Sequence, residues 1–85
     1  MKKIIIIAGL LAGFSLHAAP VNINSADAKT ISKALNGVGS VRAGAIVQYR
    51  KAHGEFASAD DLEKVKGVSH KIVEKNREDI LLSDH

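Results

Sequence analysis

Apolar positions along this chain pass from a continuous run to alternation and then to a helical period, and each change predicts an element. Lys2 and Lys3 precede an apolar run from Ile4 to Leu16, which ends against the small residues Ala18 and Ala19. That order describes a secretory leader cut after Ala18, because a cut after Ala19 would place Pro20 at the scissile amide. The run is broken by Gly9 and Gly13 and falls short of the about 20 apolar residues that a membrane span needs. Val21-Asn22-Ile23-Asn24 then alternates apolar and polar side chains, which predicts a short extended lead-in closed by a turn. From Ala28 the period lengthens: Ala28, Ile31, Ala34 and Leu35 form one helical stripe, with Asp27 as its N-cap and Asn24 as the competitor.

Asn36-Gly37 stops that helix, and a second is predicted from about Val41 to Ala52, with Ala43, Ile46 and Val47 inward and Gly54 as its end. Ser58-Ala59-Asp60-Asp61 reads as a capping box that opens a short third helix ending near Lys64 or Val65. A fourth runs from about His70 to Arg77 or slightly beyond, with Val73 and Ile80 inward and Ser83-Asp84-His85 frayed. Phe56, a lone large aromatic between the halves, is expected to plug their junction. The prediction is an all-α fold divided into a leader over 1–18, an extended lead-in over 19–24 and one domain over 25–82.

Within that domain the chain repeats itself. Leu35-Asn36-Gly37-Val38-Gly39 and Val65-Lys66-Gly67-Val68-Ser69 each close one helix and start another, thirty positions apart. Neither helix pair alone can hide its apolar face, so the two halves must pack together, and a pseudo-twofold arrangement of four to five short helices follows. Without its leader the chain would keep 67 of 85 residues, near the lower limit for a core without staples. There is no cysteine to supply one, so packing must carry the stability.

Charge sharpens the picture only after the leader is set aside. Removing Lys2 and Lys3 takes the 12 basic residues to 10 against 9 acidic ones, so global basicity is no argument for any partner. Distribution is: Arg42, Arg50, Lys51, Lys64, Lys66, Lys71, Lys75 and Arg77 surround the repeats, although acids at helix starts and bases at helix ends also suit the macrodipole. Glycine after a helix end explains Gly37, Gly54 and Gly67 without a ligand, but it does not explain Gly39. Two glycines flanking an inward Val38 let main-chain amides at a helix start face outward as an anion site, with Arg42 one turn further on. A loop offering amides and point charges, but no array aimed at base edges, suits nucleic-acid phosphates without sequence preference.

These paired turns resemble the helix-hairpin-helix motif. The wider string, Val21-Asn22-Ile23-Asn24-Ser25-Ala26 through Tyr49-Arg50, Gly54, Phe56, Leu62 and Val65-Lys66-Gly67-Val68, is similar to the ComEA family over almost all of the chain after the leader. The resemblance implies a tandem helix-hairpin-helix domain and an exported, non-specific receptor for double-stranded DNA in natural transformation, soluble in the periplasm of a diderm bacterium. Carried over by position, Asn36, Gly37, Val38, Gly39, Ser40 and Arg42 form the first phosphate-facing turn. Lys66, Gly67, Val68, Ser69, His70 and Lys71 form the second. This sequence departs from the family pattern at Val41, where a lysine is frequent, at Ser69, which replaces the second glycine, and at Asn76, where an inward aliphatic is usual. Ser69 suits an N-cap of the fourth helix.

Other chemistry is not expected. His53 and His70 lie on different elements with no cysteine and no evident carboxylate at ligand spacing, which argues against a metal site. Asp60-Asp61 is a helix-start pair, and no nucleophile has a matching base, so no enzyme, cofactor or small-molecule substrate is expected. Asn22 and Asn24 are expected to brace the lead-in. Membrane contact is expected only through the export signal, and self-association on DNA stays open. The competing expectation is a periplasmic protein-interaction or scaffold module that keeps the hairpins as a fold alone.

Overall fold

The computed structural model describes residues 19–84; the expected leader over 1–18 lies outside the described residues, as does His85. The chain runs through β1 (Val21–Asn22), α1 (Ala28–Ala34), α2 (Gly39–His53), a 3-10 helix (Ala59–Lys64), α3 (His70–Asn76), a 3-10 turn (Arg77–Asp79) and β2 (Ile80–Leu81). The fold is all-α apart from a two-residue parallel pairing of β1 with β2, in which Val21 faces Ile80 and Asn22 faces Leu81. Among the described residues no helix is long and apolar enough to cross a membrane.

Helix starts follow the sequence closely. Asp27 caps α1 by accepting from the Thr30 amide at 2.8 Å. That bond is the main cause holding its carboxyl below the usual range. Ser58 accepts from the Asp61 amide at 3.3 Å, as a capping box requires. The return half differs: the Asp61 carboxylate reaches the Ala57 amide, at 3.0 Å, one residue beyond the expected partner. The segment it opens is a short 3-10 helix that ends at Lys64, as expected. α2 begins at Gly39, two residues ahead of the expected Val41, and Gly54 ends it at φ +93, its amide on the Arg50 carbonyl.

The core gathers both halves. Ile23, Ile31, Val38, Ala43, Ile46, Leu62, Val65, Val68 and Val73 are all buried, with Phe56 between the halves and Tyr49 stacked on it at a centroid separation of 5.5 Å. Ile80 is inward as expected, but it sits in β2, because α3 tightens to a 3-10 turn at Arg77 and releases the chain into extended backbone. Near the tail, Asn22 donates to the Asp84 carboxylate at 3.0 Å and Asn24 donates to the Leu82 carbonyl at 3.1 Å, while His85 lies outside the described residues. Asn76 is buried at 1% exposure where an aliphatic was the expected type, and it is fully engaged in hydrogen bonds.

Candidate nucleic-acid interface

The first turn is built for outward-facing backbone. Gly37 at φ +80 and Gly39 at φ +68 both lie in the left-handed region, which side chains disfavour, and the two together reverse the chain between α1 and α2. Val38 between them is buried at 1% and pins the turn to the core, so only its main chain can serve a ligand. Val38 is also the N-cap of α2 and offers no side-chain hydrogen bond. The first-turn amides of Gly39, Ser40 and Val41 therefore have no side-chain acceptor, and helix geometry gives them no carbonyl within the helix. They stand at the positive end of a helix of 15 residues. No atom lies within 4 Å of the place a Cβ on Gly39 would occupy, so the approach from outside is open. That gives Gly39 the two roles a C-cap does not: a required φ and a bare face.

The second turn repeats the outline but spends its groups internally. Gly67 at φ +93 matches Gly37. Ser69, at φ −92 and ψ 165, is extended where Gly39 is left-handed, so the two loops follow different paths. Ser69 caps α3 by accepting from the Ile72 amide at 3.2 Å, and the Val68 amide donates to the Val65 carbonyl at 3.1 Å. Val68, like Val38, is buried. Lys66 and Lys71 are exposed on either side of the turn.

Three of the expected contacts carry internal partners. His70 is paired with carboxylates, Nδ1 at 2.8 Å from Glu63 and Nε2 at 3.9 Å from Glu74, partners that the sequence spacing did not make evident. The hydrogen bond with Glu63 is the main cause raising its pKa above 6.5, and the proton it gains is offset by its own neighbours. Arg42 donates from Nε to the Gly67 carbonyl at 2.7 Å, so part of its guanidinium braces the opposite turn. Asn36 has both main-chain groups taken by the side chain of Asn76. His53 lies against Tyr49, ring centroids 4.3 Å apart, which accounts for it structurally.

One cation at the first turn was not singled out for the site. The Lys75 ammonium lies 3.6 Å from where a Cβ on Gly37 would sit, so α3 brings a positive charge over the first turn. Its place in the sequence, after the second repeat, gave no sign of that. Conversely, Arg77 is unavailable to a ligand, being bonded to Asp60 at 2.6 Å and paired closely with Glu74. Exposed cations therefore flank both turns, Lys75 over the first and Lys66 and Lys71 beside the second, while the flank of α3 near Glu63, Glu74 and Asp60 is carboxylate-rich. Among the described residues no group of three or more His, Cys, Asp or Glu could hold a metal ion.

Comparison with known proteins places this geometry. The helix-hairpin-helix motif family matches residues 17–81. An uncharacterized protein of Haemophilus influenzae is 48% identical over 61 residues, covering 72% of this chain and 54% of that protein. ComE operon protein 1 of Bacillus subtilis is 39% identical over 62 residues, covering 73% of this chain and 30% of that protein. Kinesin-like protein KIF22 of Mus musculus is 38% identical over 61 residues, 72% of this chain but 9% of its own length. The chain thus spans about half of the first of these curated relatives and less of the others.

Proposed function

The chain belongs to the helix-hairpin-helix family and is ComEA-like within it, and from that premise we propose that it binds double-stranded DNA through phosphates, without sequence preference. The observation that carries the reading is the first turn: unclaimed amides at the positive end of α2, two left-handed glycines, an open face over Gly39 and the Lys75 ammonium over Gly37. Anionic oxygen is the ligand such a cradle suits. Main-chain amides and a lone ammonium carry no base pattern, so the contacts fall on the backbone rail.

The first hairpin is the principal contact and the second a subsidiary one, through Lys66 and Lys71. The role is retention of DNA by a binding module during uptake in natural transformation, with no catalytic step. The basic start, apolar run and small residues over 1–18 support export to the periplasm by a cleaved leader.

Fluorescence anisotropy on two unrelated duplexes tests the reading. If about 4 to 6 phosphates are neutralised, log affinity falls against log salt with a slope near −0.9 per phosphate, so that raising salt from about 50 to 200 mM weakens binding a few hundredfold. A signal indifferent to salt, or confined to one sequence, sinks it. A chain that passes through heparin at low salt yet captures a defined protein partner would establish the scaffold alternative instead, which the internally bonded second turn favours.

A further inference from the structure

We propose that Asn76 is a positioning residue for the first turn, its amide gripping both main-chain groups of Asn36 and thereby holding Gly37-Val38-Gly39 in the shape that receives a phosphate. The inference rests on the reading of that turn as the DNA contact. Asn76 Oδ1 accepts from the Asn36 amide at 2.8 Å, and Nδ2 donates to the Asn36 carbonyl at 2.8 Å and to the Ile72 carbonyl at 2.9 Å. Both donors of the side-chain amide are used and its oxygen is engaged, so the group has one orientation.

The consequence follows from peptide geometry. The Asn36 amide belongs to the plane shared with Leu35, and its carbonyl belongs to the plane shared with Gly37; fixing both planes sets the Asn36 dihedrals and hence the direction in which the chain enters the turn. An aliphatic side chain can fill the same space but cannot fix two planes. Asn36 is an exposed residue, but the two bonds to its main chain are part-buried. What the buried amide adds is direction. The bonds join positions 40 residues apart, from α3 to the first turn. The Arg42 bond to Gly67 runs the other way, from α2 to the second turn, so the two hairpins are cross-braced. Lys75, the residue before Asn76, sets its ammonium over the same loop.

Asn76→Leu is the first test, with Lys75→Ala beside it. Asn76→Leu is expected to keep helical circular dichroism and cooperative melting, to displace the Gly37 to Ser40 amide resonances in the free protein, and to weaken duplex binding about tenfold. Its salt slope stays that of the unmutated chain because no phosphate contact is removed, whereas Lys75→Ala lowers the slope by about 0.9. Wild-type affinity in Asn76→Leu, or unmoved turn amides, overturns the clamp; failure of the unmutated chain to bind duplex at low salt overturns the reading of the site instead. Hydrogen exchange in the unmutated chain decides independently of any variant: an Asn36 amide as slow as the core supports the clamp, and one as fast as Gly39 overturns it.

Discussion

Gly39 and Gly44 both have open space where a side chain would begin, yet replacing them should move stability in opposite directions. Gly39 sits at φ +68, where an L side chain is strained by about 1 to 2 kcal/mol, so Gly39→Ala should lower the melting temperature by several degrees. It should also weaken duplex binding beyond that loss, since the methyl enters the face left bare for phosphate. Gly44 lies inside α2 with ordinary helical dihedrals, and Gly44→Ala should raise stability by about 0.5 to 1 kcal/mol without altering DNA affinity. Thermal melts of the pair, read with anisotropy, check both. The special standing of Gly39 was legible in the sequence because a helix end needs one glycine and this turn has two. The partners of Asn36 and Arg42 were not legible, because Asn76 and Gly67 reach them from the other half and no local pattern encodes such a meeting.

At the scale of elements, the second turn depends on a side-chain cap where the first uses a left-handed glycine. Ser69 caps α3, so Ser69→Ala should cost about 1 kcal/mol, whereas Ser69→Gly should cost only about a few tenths, since glycine tolerates the extended cap and leaves its helix end hydrated. Comparable losses for both variants in a denaturant series would show that the hydroxyl is not the cap. The 3-10 helix is tied to α3 by Glu63 and His70, whose pKa is raised chiefly by that hydrogen bond. A raised folded pKa means the contribution is complete below the unfolded value near 6.5 and is lost as pH rises through the folded one. The melting temperature should therefore decline as pH rises from near 6.5 through that raised value, and Glu63→Gln should flatten the decline. Asp27, Asp61 and Glu74 are lowered by hydrogen bonds from the Thr30 amide, the Ala57 amide and Arg77, so their contributions are present above the usual carboxylate range and fade as pH falls below it. The caps at Asp27, Ser58 and Ser69 were legible because capping is local. That Ile80 leaves the helix for β2 was not, because it depends on how the ends of the chain pair.

Across the whole molecule, a domain with no disulfide must hold its two ends together by other means, and the extended lead-in does so. Ile23 is fully buried and its carbonyl accepts from Arg50 at 2.7 Å, which ties the lead-in to α2. Asn24 joins three segments through one side chain: it accepts from the Phe56 amide at 2.7 Å and donates to the carbonyls of Phe56 and Leu82, each at 3.1 Å. β1 pairs with β2 beside it, so the start of the domain, the connection between hairpins and the end of the chain meet at one place. Removing that amide strands both polar groups of Phe56, a residue whose ring is buried against Tyr49, and the loss falls on the global stability of the fold. Asn24→Ala should cost about 2 to 3 kcal/mol, a large share of the margin of so small a domain, while the slope of stability on denaturant stays as it was. A drop confined to local exchange near Asn24, with the global transition unmoved, would mean the lead-in is an appendage. The expected outcome is a single transition at lower denaturant, because the same residue that ends the lead-in closes the core over both hairpins and keeps the two turns on one rigid body.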